Sequence, residues 1–460
     1  MWRRLTTCPW RRAFKSVPMC VCLMVVSPAD AGDWFSTAPP PDPAAPVDYV
    51  AWLDAVLLPT EAQNAARAYS SATQLLTRIE NERTLDRHTL APWQDVPVIE
   101  TWLSSNIEPL AKFRQAAQLD SSYLGLQPAN DETADARWRN ALHLAIVPDL
   151  GAFRVGAKGL LASGWSRWAA GDEAPLIDDA LRCVAVGHHL ESEASMVARY
   201  VSLTVLEHAY QALLSAASRS SHRHALTHSL AIRLSAIDPP LVSLGEAYRL
   251  EHLTSWDVLQ RMYEPGDEPG TWRVVPSAEA VYRELASLAG EEPAPWEEVR
   301  SSLANLGYDD SLCEIDAFFT ELLKWNDEPY HLAAPRTDAI DKMADELTNP
   351  VVRLLVFRAT MARQKLIRVI GLQRGIHLAL RIIRHHSQKK RFPETLDDLS
   401  GSAVMQPWRN DPYTGRDYIY ARTRDSFVLY SIGPDLKDDA GRPYLPATEK
   451  GDLIIWSAGR

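Results

Sequence analysis

Residues 351–391 have the sequence VVRLLVFRATMARQKLIRVIGLQRGIHLALRIIRHHSQKKR. The apolar positions of this stretch predict one helix of about thirty-five residues, longer than the globular average of about eleven or twelve. Phe392-Pro393 follows and predicts the end of the helix, because a proline disfavours helical backbone in the residue before it. The apolar positions are Leu354, Leu355, Phe357, Met361, Leu366, Ile367, Val369, Ile370, Leu372, Ile376, Leu380 and Ile383.

The C-terminal end of the predicted helix is basic. Cations there suit the negative end of the helix dipole, although so many in a short span also repel one another. The basic residues are Arg381, Arg384, His385, His386, Lys389, Lys390 and Arg391.

Three strand-like segments come after the helix, at 418–420, 427–431 and 453–456, with turn signals such as Gly433-Pro434 between them. A long helix packed on a small antiparallel three-stranded sheet is an α+β unit. The sequence therefore predicts a C-terminal α+β domain at 350–460.

Residues 49–349 have a helical pattern throughout. The clearest part lies between 176 and 216, where apolar residues recur mostly at three- and four-residue steps and strand-like alternation is almost absent. Breaks are predicted at 170–172, 238–240, 264–266 and 292–295, where Gly and Pro cluster. The predicted fold class is mostly α: an all-α helical domain of about ten helices, followed by the small α+β domain.

Residues 1–31 resemble a targeting segment. A basic leader precedes an apolar run of about ten residues, too short for the roughly twenty that span a bilayer, and PADA at 28–31 offers a cleavage site. A cleaved signal peptide is predicted, with a membrane anchor and twin-arginine export (from RRAFK at 11–15) as alternatives. Residues 32–48 are Pro-rich and predict a stiff, extended linker.

Charge and cysteine content narrow the range of partners and metal sites that the sequence allows. The leader holds five Lys/Arg and one Asp, so the remaining chain carries 43 basic and 58 acidic residues, a net charge of −15. Such a surface repels phosphate backbones and anionic membranes, which argues against a nucleic-acid partner. Only Cys183 and Cys313 remain after the leader; one disulfide and two free thiols are both open, and no zinc-type spacing occurs.

Four short motifs after the helix resemble the C-terminal domain of the type II secretion major pseudopilin. FPETL at 392–396 is similar to that family's Tyr-Pro-x-x-Leu, and DPYTG at 411–415 to its Asp-Pro-Trp-Gly turn. SIGPD at 431–435 matches Ser-x-Gly-x-Asp, and DLIIW at 452–456 matches the acidic residue before the closing strand. The resemblance covers 351–460, under a quarter of the chain.

This resemblance implies a calcium site in the loop between the last two strands. Asp435 and Asp452 would supply carboxylates and Ile432 a backbone carbonyl, and Asp438 or Asp439 would add another oxygen, the ligand type that calcium prefers. The loop at 436–451 is longer than in the family and contains two prolines. The alternative is that these aspartates cap turns.

The prepilin peptidase motif of the family is missing, and arginines and lysines interrupt the long helix too often for it to span lipid. No transmembrane anchor is therefore predicted after signal cleavage. The order of leader, helical domain and pseudopilin-like tail resembles exported bacterial proteins without an assigned function.

The helical domain offers one candidate catalytic group, in HHLESE at 188–193. His189 and Glu193 lie at i,i+4 and His188 and Glu191 at i,i+3, so each pair shares a helix face and could build an acid–base or metal site. A solvated helix face explains the same residues. The histidines of 218–224 with His228 predict an exposed loop, and His385-His386 a solvated pair.

The many tryptophans between leader and tail suggest either packing between helices or a binding groove. No nucleophile elbow and no phosphate-binding glycine loop occurs. The predicted function is an exported, non-enzymatic scaffold or interaction protein with protein partners and a pseudopilin-like docking domain, for which calcium is a candidate stabilising ion. The alternatives are an envelope enzyme with its site in the helical domain, and an accessory of a type II secretion or pilus-like machine.

Overall fold

The fold is described from a computed structural model. It covers residues 34–57, 64–77, 79, 82–90, 96–126, 135–145, 150–193, 195–220, 223–241, 243–356, 359–399, 406–445 and 450–457. The predicted signal peptide lies outside these residues, and the predicted domain boundary near 349–350 stays a prediction.

The described chain is mostly helical, with small antiparallel sheets, which confirms the predicted fold class at that level. The helices of the first three quarters are α1 Tyr49–Leu57, α2 Ala66–Leu75, α3 Glu82–Leu90, α4 Val96–Ser105, α5 Ile107–Ala116, α6 Leu150–Ala169, α7 Ala174–Glu191, α8 Met196–Arg219, α9 Arg223–Ile237, α10 Gly245–Met262, α11 Ala278–Ala289, α12 Trp296–Asp327, α13 Tyr330–Ala333 and α14 Thr337–Asp345. The C-terminal helices are α15 Pro350–Leu355, α16 Ala359–Lys389 and α17 Gln406–Arg409. The strands are β1 Tyr263–Pro265, β2 Trp272–Val274, β3 Ile419–Arg422, β4 Phe427–Ser431 and β5 Leu453–Trp456.

Helices α6, α7 and α8 pack side by side at the centre of the molecule. Small residues let them approach closely: a Cβ added at Gly187 on α7 would lie 2.4 Å from Leu206 on α8. Ser195 begins α8 as an N-cap, its hydroxyl accepting the backbone N–H of Ala198 at 3.3 Å. These helices form the platform on which the candidate site is built.

The helical region was predicted to be purely α, but it also contains two short strands. Strands β1 and β2 pair antiparallel across a turn at 266–271, where the N–H of Gly266 donates to the carbonyl of Thr271 at 2.8 Å. The sequence EPG at 264–266 was interpreted only as a break between helices. Tyr263 and Trp272 favour strands, but a pair of three-residue strands is too short to show a period of two.

The Pro-rich segment at 34–48 lies against the helical core. The side chain of Gln260 on α10 accepts the backbone N–H groups of Asp42 and Val47 at 3.1 and 3.0 Å. Trp34 is buried in a small second core with Tyr49. The prolines keep the segment extended, and α10 supplies the hydrogen bonds that its backbone cannot make internally.

The predicted single helix at 351–391 is two helices. Asn349 caps α15 by accepting the N–H groups of Val351 and Val352, and Val356 leaves the helical conformation with ψ 102°. Helix α16 then runs to Lys389 and ends in the left-handed region at Lys390, φ 59°. A new N-terminus for α16 was not visible in the sequence, because the apolar pattern continues across the break.

Helix α16 packs on the sheet β3-β4-β5, which is antiparallel throughout, as predicted. Gly371 and Gly375 face β5: a Cβ added at these positions would lie 2.7 Å from Leu453 and 2.5 Å from Ile455. The absence of side chains at both glycines lets the helix backbone lie directly on the strand.

The same helix also packs on α8 and α9. Glu207 on α8 accepts from Arg368 on α16 at 2.7 Å and pairs with Lys365. Buried apolar side chains form a large cluster from Ala65, just before α2, to Trp456 on β5. The α16–sheet unit and the upstream helices therefore share a core.

Two further features bear on the sequence interpretation. Cys183 and Cys313 are not joined in a disulfide; Cys183 is buried and donates to the carbonyl of Ala157 at 3.3 Å. Within the described ranges, no helix has the combined length and apolarity needed to cross a membrane.

Replacing Gly375 with alanine should destabilise the protein, because the new methyl group would overlap Ile455. Overpacking typically costs about 1–3 kcal/mol, more than the roughly 1 kcal/mol of helix propensity gained. Gly151→Ala is the matched control: that glycine is exposed on α6 with nothing within 4 Å of an added Cβ. Urea unfolding of both variants measures the difference, and a Gly375→Ala midpoint at or above that of Gly151→Ala would disprove the close contact with β5.

Candidate functional site

The candidate site is centred on Asp238, which directly follows α9 and has a side chain with 0% exposure. Its Oδ1 accepts from His188 Nε2 at 2.8 Å, from Tyr210 Oη at 2.7 Å and from Gln373 Nε2 at 2.7 Å. Its Oδ2 accepts from His377 Nε2 at 3.0 Å. The carboxylate thus receives donors from α7, α8 and α16.

The network continues from His188 along α7 and α8. The Nδ1 of His188 donates to Glu191 Oε2 at 2.7 Å, and Arg199 donates to the other oxygen of Glu191 at 2.5 Å. Two carboxylates, one guanidinium and one imidazole are therefore held together away from water. Their charges balance when His188 is protonated, the condition under which buried charges are tolerated.

The pKa values follow this arrangement. Burial acts to lower the pKa of His188, but the hydrogen bonds to Asp238 and Glu191 outweigh it and raise the pKa to about 9. Burial acts to raise the pKa of Asp238, but hydrogen bonds from His188 and His377 lower it to about 2. Glu191 also has a lowered pKa, since His188 and Arg199 outweigh its burial. These shifts favour the ionised forms of Asp238, Glu191 and His188 at neutral pH.

Helix α16 enters the network through two side chains one turn apart. Besides its bond to Asp238, Gln373 donates to the carbonyl of Pro239 at 2.7 Å and accepts from the N–H of Leu241 at 3.2 Å. The ring of His377 stacks on Trp408 of α17, with centroids 4.0 Å apart. The network therefore connects the central helices to the C-terminal unit.

The second predicted pair does not share a helix face: His189 is on another face of α7, whereas Glu193 lies in the turn after that helix, which ends at Glu191. His189 accepts from the hydroxyl of Tyr69 at 2.9 Å and donates to the carbonyl of Leu119 at 2.9 Å, and burial lowers its pKa to about 4. Glu193 accepts the N–H of Leu124 at 2.8 Å, and burial raises its pKa to about 8. Both side chains fix the 119–124 segment to α7.

The four residues suggested as catalytic are thus divided between two buried groups. The solvated-face interpretation was wrong for them, because α7 is covered on several sides by α6, α8 and α9. The enzyme interpretation required one shared group, and the structure does not bring the four together. Three of the four donors to Asp238 share Oδ1 and one meets Oδ2, so both carboxylate oxygens are engaged in contacts between helices.

Other predicted positions also differ from expectation. Helix α9 already begins at Arg223, so His228 is on a helix, and Ser218 and Ser220 are buried; His222 lies outside the described residues. His386 is half-buried and stacks on Phe392 at 4.1 Å between centroids, so it is not solvated.

The tryptophans follow the packing interpretation at the five buried positions Trp34, Trp102, Trp138, Trp165 and Trp325.

The predicted calcium residues lie in the loop after β4. The buried Asp452 accepts the N–H of Asp439 at 3.2 Å and that of Gly441 at 2.6 Å. Asp435 accepts the N–H of Lys437 at 3.2 Å, and Asp438 that of Ala440 at 2.8 Å. These bonds are turn caps of the kind that the alternative interpretation expects.

The same loop concentrates negative charge. Burial, together with the charges of Asp438 and Asp439, raises the pKa of Asp452 despite its two N–H donors. The Oδ2 atom of Asp439 is buried without a hydrogen-bond partner. Ile432 adjoins this loop at the end of β4, just before Gly433.

Sequence reasoning missed Asp238, Gln373 and His377. Asp238 was interpreted as part of the break Asp-Pro-Pro at 238–240. Gln373 and His377 stand at i,i+4 within an otherwise apolar helix, and that spacing was the available signal of a shared buried partner.

Comparisons with protein-family models, with curated proteins and with solved structures find no match to this chain. Across the described part of the chain, no three His, Cys, Asp or Glu side chains are arranged to hold a metal ion. That criterion leaves calcium untested, because calcium also takes carbonyl and water oxygens.

Replacing Asp238 with asparagine should destabilise the protein by about 3–5 kcal/mol, the usual cost of leaving a buried charge uncompensated. Asp178→Asn on α7 is the matched control: its carboxylate pairs with Arg233 at 2.6 Å on the surface, where the loss should stay below about 1 kcal/mol. Urea unfolding at pH 7 measures both. Equal losses of stability in the two variants would contradict a central role for Asp238.

The pH dependence of the stability lost in Asp238→Asn identifies the charged partner of Asp238. His188 has a folded-state pKa of about 9, above its ordinary value of 6.5. The contribution of protonated His188 to the free energy of unfolding is therefore complete below pH 6.5 and is lost as the pH rises through 9. The stability difference between the native protein and Asp238→Asn should shrink across that interval, and a constant difference would mean that His188 is not the charged partner.

Proposed function

We propose that this protein is an exported, non-enzymatic scaffold or interaction protein whose C-terminal unit is a pseudopilin-like docking domain. The proposal rests on the hydrogen bonds that the histidine and carboxylate side chains around Asp238 form with one another. These bonds connect α7, α8 and α16, which supports a role of the side chains in holding the helices in place. The functional surfaces would then lie outside the network.

Contacts among the pseudopilin-like motifs support the C-terminal assignment. Asp411 of the DPYTG turn accepts the hydroxyl of Ser431, from SIGPD, at 2.8 Å in a buried position. Gly433 of the same motif has φ 73°, and a Cβ there would lie 2.3 Å from the carbonyl oxygen of Gly451, just before DLIIW. Three of the motifs named in the resemblance therefore depend on one another sterically or through hydrogen bonds.

Calcium would fit the loop chemically. Asp435, Asp452 and the Ile432 carbonyl would supply hard oxygen ligands, and the unpaired oxygen of Asp439 would add a fourth. A divalent cation would also relieve the repulsion among Asp438, Asp439 and Asp452 that raises the pKa of Asp452. Asp452 would then exchange part of its backbone hydrogen bonding for the ion.

Export is tested by expressing the full chain with its leader in a Gram-negative host. The intact mass of the protein in the periplasmic or culture fraction should correspond to a chain that begins at Gly32. A variant with both Ala29 and Ala31 replaced by arginine should stay uncleaved, since signal peptidases require small residues there. Ala44→Arg in the segment after the predicted cleavage site is the control and should be processed normally. Uncleaved native protein in the cytoplasm would overturn the exported role.

Calcium should raise the melting temperature of the leader-free chain relative to chelator. A free ligand at about a hundred times its Kd adds roughly 2.7 kcal/mol to the stability of the state that binds it. The shift should disappear in Asp452→Asn and in Asp435→Asn but remain in Asp345→Asn, an exposed carboxylate on α14. An unchanged melting temperature for the native chain would remove calcium from the proposal.

A further inference from the structure

A small pocket of about 70 Å³ lies between the end of α16 and the β3–β4 turn. Its lining consists of Ile383, His386, Phe392, Asp425, Ser426, Phe427 and Trp456. An engineered apolar cavity of about 150 Å³ holds one benzene molecule, so a pocket of about half that volume fits the end of one aliphatic side chain.

The aromatic walls of this pocket are fixed by stacking. Phe427 and Trp456 lie nearly parallel, at 10° and 5.2 Å between centroids. Phe392 packs on Phe427 at 5.5 Å and on His386 at 4.1 Å. Because all three aromatic rings are buried in these contacts, the pocket is preformed and a ligand need not order it.

The rim of the pocket is strongly basic. We define the basic turn as Arg384, Lys389, Lys390 and Arg391, all exposed at or just after the end of α16; Arg384 directly follows the pocket residue Ile383, and the other three occupy the three positions before Phe392. Among the residues that the structure describes, none of the four has a carboxylate partner within ion-pair distance. The neighbouring Arg381 has a pKa lowered by burial and by the charge of Arg384.

Nearby carboxylates are engaged elsewhere. Glu394 pairs with Arg422 at 2.9 Å, and Asp397 pairs with Arg409 at 2.6 Å. Asp398 accepts the backbone N–H groups of Glu394 and Thr395. Asp425 is the one acidic residue in the lining and stands exposed at the mouth. The end of α16 is thus a cationic region on a chain that carries a net charge of −15 without its leader.

We propose that the pocket and the basic turn form one docking site for an acidic linear segment of a partner protein, which inserts a single aliphatic side chain into the pocket. The aromatic walls bind the aliphatic anchor, and the basic turn binds flanking carboxylates. The inference names a partner class for the proposed interaction protein and in that sense rests on the proposed function. The acidic remainder of the chain would repel an anionic membrane, which favours a peptide over a lipid surface.

The test uses the leader-free chain and a fluorescein-labelled peptide with one leucine flanked on each side by three glutamates. Fluorescence anisotropy should show saturable binding that weakens as salt rises. A peptide with serine in place of leucine should bind about tenfold more weakly, since burying a leucine side chain contributes roughly 1.5–3 kcal/mol. A peptide with lysines in place of the glutamates should not bind.

Three variants separate the parts of the site. Lys389→Glu, Lys390→Glu and Arg391→Glu combined should weaken binding at least tenfold. Ser426→Phe, which fills the pocket, should remove the advantage of leucine over serine. The control combines Arg300→Glu, Lys324→Glu and Lys342→Glu, exposed positions on α12 and α14 with the same total charge change, and should bind within about twofold of the native chain. Melting temperatures establish that each variant is folded.

Several outcomes would overturn the proposal. Equal binding of the leucine and serine peptides would mean that the pocket takes no anchor, and this comparison needs no variant to fold. Equal weakening by both charge reversals would mean that binding is non-specific. Binding to phosphatidylglycerol vesicles but not to the peptide would assign the basic turn to lipid. Self-association in sedimentation that is abolished by the basic-turn variant would assign the site to a second copy. Export can succeed whether or not the peptide binds, so the two proposals fail separately.

Discussion

The carboxylate of Asp238 is the constraint on which the arrangement of the helices depends. A charged group with no exposure to solvent is tolerated only where hydrogen-bond donors and opposite charges compensate it. Here the donors come from α7, α8 and α16, so those helices must hold fixed relative positions for the charge to be tolerated. Apolar packing alone would allow many nearby arrangements, whereas the hydrogen bonds of a buried charge allow few.

The position of the sheet follows from this constraint. Gln373 and His377 point towards Asp238, while Gly371 and Gly375 lie against β5. The two sets are offset by two residues, which is about 200° around a helix, so they occupy opposite faces of α16. The hydrogen bonds to Asp238 fix the orientation of one face of α16. They therefore also fix the position of the sheet that packs on the opposite face. The C-terminal sheet takes its orientation from a residue more than a hundred positions upstream of α16.

Local patterns predicted much of this structure, and long-range pairing accounts for what they missed. The three strands of the C-terminal sheet and the end of the long helix at 389–392 follow from alternation, turn residues and Phe392-Pro393. The burial of His188 could not be predicted, because its partner Asp238 is 50 residues away and follows a helix as part of a proline-rich break. The break between α15 and α16 was hidden for a different reason: the apolar pattern continues across it.

The charge distribution at the end of α16 has no explanation within the fold. A helix C-terminus gains about 0.3–1 kcal/mol from a nearby cation, but additional cations in the same turn repel one another by similar amounts. The described carboxylates closest in sequence are committed to Arg422, to Arg409 and to backbone N–H groups. By contrast, the buried charges around Asp238 are balanced within the network. A protein that neutralises its interior in this way, yet has four exposed cations without an ion pair to any described carboxylate beside a preformed aromatic pocket, has a surface suited to an anionic partner.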